Sequence, residues 1–127
     1  MRPTHYYNPL DWGPLKPTSI LGYKMLSVKC AERFKIETGD GSRSHCVVRL
    51  LEHYDADGYP LTPDLPNRLL DWGRHYPITL YMPQLLLRKV AKKFKYQTGQ
   101  DSRSLLICTL QEAYVQGKIS FARVERS

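Results

Sequence analysis

Apolar residues fall into two alternating patterns along this chain, one with the period of a strand and one with that of a helix. Ile78, Leu80 and Met82 lie on one side of a short stretch, Thr79 and Tyr81 on the other, and Pro83 stops it. Leu86, Leu87, Val90, Ala91 and Phe94 then recur at helical spacing as one buried stripe, while Arg88, Lys89, Lys92, Lys93 and Lys95 cover the remaining surface. Gly99 stands where a helix ends in a left-handed residue, and Ser102 where a second helix takes its N-cap. The apolar face of that second helix is Leu106, Ile107, Leu110 and Tyr114. The same plan occurs upstream. Thr18, Ile20 and Gly22 take the inward strand positions, and Leu26, Cys30, Ala31 and Phe34 form the first helical stripe. Gly39 and Ser42 punctuate, and Cys46, Val47, Leu50 and Tyr54 form the second stripe. The first strand is the less marked of the two, because Gly22 and Tyr23 replace Met82 and Pro83.

The two plans are a repeat. Residues 10–57 align with 70–117 without a gap, and 18 of the 48 positions are identical, against about three by chance at average residue usage. The matches cluster in Leu-Asp-Trp-Gly, Lys-x-Ala-x-x-Phe-Lys, Thr-Gly, Ser-Arg-Ser and Leu-x-Glu-x-Tyr. Residues 58–69 read as a linker between the copies, and the stretch 55–67 is rich in Pro, Asp and Gly, as a surface connection should be. One strand and two short helices, about 40 residues, bury too little surface to be stable alone. A lone strand also leaves its backbone donors and acceptors unpaired. Antiparallel pairing of the two strands, with the four helices packed beneath, meets both needs. The expected fold is therefore mainly α with a short β-ribbon, the two repeats forming one pseudo-dimeric, intertwined domain.

Composition narrows the function classes. With 42% hydrophobic and 24% charged residues the chain reads as a folded globular protein. No apolar run approaches the roughly 20 residues of a membrane span, and the opening Met1–Gly13 stretch lacks the apolar core of a secretory signal. A cytosolic location with no membrane partner is the expectation. The net charge of +7 points to an anionic partner. It is unevenly held: residues 1–63 have eight Lys/Arg and seven Asp/Glu, residues 64–127 eleven and five, so the second half carries +6. Cys30, Cys46 and Cys108 fall on or beside the apolar stripes and read as buried thiols. A zinc site drawn from Cys30, Cys46, His45 and His53 has no recurring ligand spacing. The four histidines have no matched acid or nucleophile, and no glycine-rich phosphate loop is present, so neither catalysis nor a cofactor is expected. Trp12 and Trp72 recur at the same distance before each strand and are expected to pack against the helices.

A short strand, a helix, a glycine and then Ser-Arg-Ser opening a second helix resembles the ribbon-helix-helix fold of the Arc, MetJ and CopG repressors. The resemblance covers residues 17–55 and 77–115. It is carried by Gly39-Asp40-Gly41-Ser42-Arg43-Ser44, by Gly99-Gln100-Asp101-Ser102-Arg103-Ser104 and by Met82-Pro83. The tandem arrangement is similar to that of relaxosome accessory proteins of the TraY type. His45 and Leu105 stand where the family often has a glutamate that completes a capping box.

The resemblance implies double-stranded DNA as partner, with the ribbon in the major groove. The base-reading positions would be Ser19, Leu21 and Tyr23 in one repeat and Thr79 and Tyr81 in the other. Leu21 cannot hydrogen-bond a base and would at most touch a thymine methyl. Phosphates would sit at the second-helix N-termini, held by Ser42, Arg43 and Ser44 and by Ser102, Arg103 and Ser104. A transcriptional repressor or a plasmid or phage accessory factor is the expected role, acting as a monomeric pseudo-dimer or a higher assembly on DNA. An interaction module with a protein partner, antitoxin-like or an inhibitor, stays open beside it, since Leu21 and Gly22 suit a ribbon that has lost base reading. The basic run Arg88 to Lys95 reads as a solvated face, with phosphate or an acidic partner as the alternative.

Overall fold

The computed structural model describes residues 13–56 and 72–121. In chain order the elements are β1 (Leu15–Tyr23), α1 (Lys24–Thr38), α2 (Arg43–Asp55), β2 (His75–Pro83), α3 (Gln84–Thr98) and α4 (Arg103–Val115). The protein is mainly helical with one two-stranded antiparallel sheet. Each element of the second half begins and ends sixty residues after its counterpart in the first. The strand register pairs Ser19 with Thr79, positions related by that same offset, at the middle of the ribbon. The linker 58–69 and Trp12 lie outside the described residues.

Both strands run beyond the stretch that hydrophobic alternation marks: β2 begins at His75 rather than Ile78. Positions 75–77 are all exposed, so the strand there leaves no alternating signal. Pro17 and Pro77 are accommodated for a related reason. Pro77 lies opposite Leu21 and Pro17 opposite Tyr81, and the amides of Leu21 and Tyr81 turn away from the partner strand to bond elsewhere. These are non-hydrogen-bonded pairs, where a missing proline N–H costs the ladder nothing.

The helix boundaries follow local chemistry. Ser42 Oγ accepts from the His45 amide and Ser102 Oγ from the Leu105 amide, both at 3.1 Å, so both serines are N-caps. Gly39 and Gly99 end α1 and α3 at φ +85° and +78°, a left-handed conformation that a Cβ disfavours, and each donates its amide back to the helix.

The core is shared between the halves. α2 packs on β2 and α3, and α4 packs on β1 and α1, so each second helix covers the strand and first helix of the other half. Leu26, Cys30 and Phe34 on α1 and Leu86, Val90 and Phe94 on α3 are buried as their stripes indicate, whereas Ala31 and Ala91 are only half-buried. The second helices are more enclosed than a single stripe suggests. Val48 and Leu51 join the core on α2, and every residue from Leu106 to Tyr114 is buried on α4. Ser27 Oγ on α1 and Thr109 Oγ1 on α4 are buried with no hydrogen-bond partner among the described residues.

Matched polar contacts lock the halves together. The Tyr54 hydroxyl donates to Gln97 and the Tyr114 hydroxyl to Glu37 Oε1 at 2.7 Å. Lys93 donates to the Tyr54 carbonyl at 2.6 Å, and Arg33 donates to the Tyr114 carbonyl. Each cation thereby caps the C-terminal carbonyls of the opposite half's second helix. Glu37 also accepts from Arg33, Ser120 and the Phe121 amide, which fastens the segment after α4 onto α1. Trp72 packs against the core and donates its indole N–H to Glu112 Oε2 at 3.3 Å. The three cysteines are free and buried, and among the described residues no group of three or more His, Cys, Asp or Glu side chains is placed to hold a metal ion. No helix among the described residues is long and apolar enough to cross a membrane.

Candidate nucleic-acid interface

Alternation sends Ile20, Gly22, Leu80 and Met82 into the core and turns the intervening residues outward. At the centre of the outward face Ser19 and Thr79 lie opposite each other, exposed. On one side stand Leu21 and Pro77, on the other Pro17 and Tyr81. Leu21 is 52% exposed and Tyr81 53%, high values for large apolar side chains on a sheet. No lysine, arginine, asparagine or glutamine occupies an outward position of either strand.

Tyr23 sits differently. It is half-buried at the end of the ribbon, as the N-cap residue of α1, with its hydroxyl 2.7 Å from His75 Nε2 and its ring 4.5 Å from the imidazole. The Tyr23–His75 pair therefore closes one end of the face, while Ser19, Leu21, Thr79 and Tyr81 stay open.

The two Ser-Arg-Ser turns flank the ribbon. Ser44 Oγ accepts from the Tyr81 amide at 2.8 Å, and Ser104 Oγ from the Leu21 amide at 2.9 Å. A two-stranded sheet has two open edges, and each second serine satisfies one outward N–H on one edge. The same bonds hold the N-terminus of α2 beside β2 and that of α4 beside β1. The sequence pattern marked these serines for a ligand. Their cross-half bonds to the ribbon were not legible in it, because they join residues 37 and 83 positions apart.

Arg43 and Arg103 are exposed, and neither enters an ion pair among the described residues. The turns differ in their acidic neighbours. In the first, Asp40 Oδ1 accepts from the Ser42 amide at 2.8 Å and Oδ2 lies 2.6 Å from His45 Nδ1, so the α2 N-terminus already holds a carboxylate. In the second, Gln100 replaces Asp40, and Asp101 lies 3.7 Å from Lys95. Beside this turn is a cleft of about 240 Å³ whose lining includes Leu21, Tyr23, His75, Ser104, Leu105 and Cys108. Burial and the nearby Glu112 carboxylate push the Cys108 thiol up to about 11, so it stays a neutral thiol at physiological pH.

The basic run of α3 divides into two uses. Lys93 is consumed by the carbonyls that end α2, and Lys89 lies 3.4 Å from Asp55. Arg88, Lys92 and Lys95 are exposed. Compared with protein-family models, curated proteins and solved structures, the chain matches none.

Proposed function

We propose that this chain is a single-chain ribbon-helix-helix protein whose two repeats form one pseudo-dimer, and that it binds double-stranded DNA with the ribbon in the major groove. The supporting observation is the ribbon flanked on both edges by a helix N-terminus, each held there by a serine of its Ser-Arg-Ser turn. The major groove is bordered by two phosphate backbones, and a helix N-terminus presents free amides and partial positive charge to such an oxygen. Arg43 and Arg103 add full charges beside those amides, and the chain's +7 draws it toward a polyanion. In this reading Ser19, Leu21, Thr79 and Tyr81 face base edges. The protein is a cytosolic binding protein rather than an enzyme, acting as a repressor or an accessory factor of a plasmid or phage.

Because Asp40 occupies one turn and Gln100 the other, the two half-sites differ and the DNA site is asymmetric. Selection of bound duplexes from a random library, followed by titration of the winner at two salt concentrations, tests the proposal. A preferred, non-palindromic sequence with affinity falling steeply in salt is expected. Equal affinity for every duplex tried would refute specific binding.

A second reading has its own observation. An outward face lacking Lys, Arg, Asn and Gln also suits a protein partner, as in an antitoxin-like or inhibitory module. Thr79→Ala with Tyr81→Ala separates the two: a DNA reader loses preference over the half-site that Tyr81 faces while its non-specific affinity persists, whereas a ribbon that holds only a protein has no sequence preference to lose.

A further inference from the structure

Resting on the duplex-DNA reading, we infer that the ribbon selects its site through thymine methyl groups rather than through hydrogen bonds to base edges. The major-groove edge of every base pair is a row of donors and acceptors, with one apolar exception, the thymine C5-methyl. The residues that would meet this edge are Leu21 and Pro77 on one side of the centre and Pro17 and Tyr81 on the other. Leu21 and Pro17 have no side-chain polar atom, and neither does Pro77. Tyr81 adds one hydroxyl at the far end of an otherwise apolar ring, which donates or accepts at either kind of edge and so discriminates little. Pressed on a guanine or cytosine edge, the three aliphatic side chains would strip water from donors and acceptors and give nothing back. Pressed on a thymine methyl, they bury apolar surface on both sides. The face therefore discriminates by penalising polar edges, which requires no long polar side chain.

The centre of the face behaves differently. The Ser19 and Thr79 hydroxyls each donate and accept, so they satisfy either kind of edge and discriminate little. The expected site has thymines on both sides of a tolerant centre. Duplex DNA is the occupant that the flanks favour, since an Arg-bearing helix N-terminus sits at each edge of the apolar strip, where the two phosphate backbones of a groove would run.

The test uses the full chain and the duplex recovered from the random-library selection. Each thymine is replaced in turn by deoxyuridine, which keeps pairing and the O4 acceptor and removes only the methyl. Affinity should fall about fourfold per contacted thymine, the factor one buried methyl-sized group supports. A Leu21→Ser protein should bind the thymine and uracil versions of its half-site equally. Leu21 is half-exposed and its amide bond to Ser104 is a backbone contact, so the variant should keep the fold by circular dichroism. Specific binding that is unchanged in every uracil duplex would overturn this inference and leave the DNA reading standing. Failure to prefer any duplex, with the ribbon instead holding a protein, would overturn both.

Discussion

Asp40 and Gln100 occupy equivalent positions and give the two turns different electrostatics. The Asp40 carboxylate bonds the Ser42 amide and lies against His45, so it occupies part of the space a phosphate would use. Asp40→Asn keeps an acceptor for Ser42 and removes the charge. DNA affinity at low salt should rise a few-fold in fluorescence anisotropy, with stability lowered by less than about 1 kcal/mol through loss of a charge near a helix N-terminus. An unchanged or weaker affinity would show that no phosphate approaches α2 there. Ser44 and Ser104 make a complementary case. Removing either hydroxyl leaves an N–H of the ribbon without its partner, and Ser44→Ala or Ser104→Ala should each cost about 1 kcal/mol in urea denaturation. Ser27 points the other way. Its hydroxyl is buried with no partner among the described residues, so Ser27→Ala should stabilise by about 0.5–1 kcal/mol in the same assay.

Among the elements, α1 and α4 are joined by Glu37. Burial opposes its charge, but hydrogen bonds from Tyr114, the Phe121 amide, Arg33 and Ser120 outweigh that and hold the carboxyl below its ordinary value. A carboxyl depressed in the folded state contributes stability that is fully present above its unfolded value, near 4.5, and is lost as pH falls through the folded one. Denaturation midpoints should therefore drop on acidification below pH 4.5, and Glu37→Gln should flatten that acid limb while lowering stability at pH 7. An identical acid limb in the variant would show that the carboxylate is not what ties the post-α4 segment to α1. In α2 and α3 the corresponding acceptor is the neutral Gln97, so this sensitivity belongs to one side of the molecule.

At the scale of the whole molecule, the two halves have no separate cores, because each second helix closes over the other half's strand and first helix. Unfolding should be a single cooperative transition by circular dichroism and by Trp fluorescence alike, even when only one half is weakened by a substitution such as Phe94→Ala. Two resolved transitions would mean that the halves fold independently. The same interleaving brings the two turns to opposite edges of one ribbon, so each should neutralise its own phosphate. Arg103→Ala should lower affinity at every sequence and reduce the salt slope by about one.

Much of this was legible in order and period. The helices, their glycine ends and their serine caps are local properties: φ at Gly39 and Gly99, a hydroxyl three residues from its amide, an apolar stripe every turn. Composition along the strands also exposed the absence of long polar side chains on the outward face. The remainder depends on residues far apart in the chain. No periodicity shows that Tyr114 meets Glu37, that Lys93 is taken up by the end of α2, or that Ser44 and Ser104 bond the ribbon. Nor does it show that the strands extend through positions that are all exposed, or that Tyr23 turns to His75 and leaves the open face to its neighbours. Local steric and hydrogen-bonding preferences determined which elements form. Only the packing of one half over the other decided which side chains remain free for a ligand, since a polar group's availability is set by what distant chain segments bring against it.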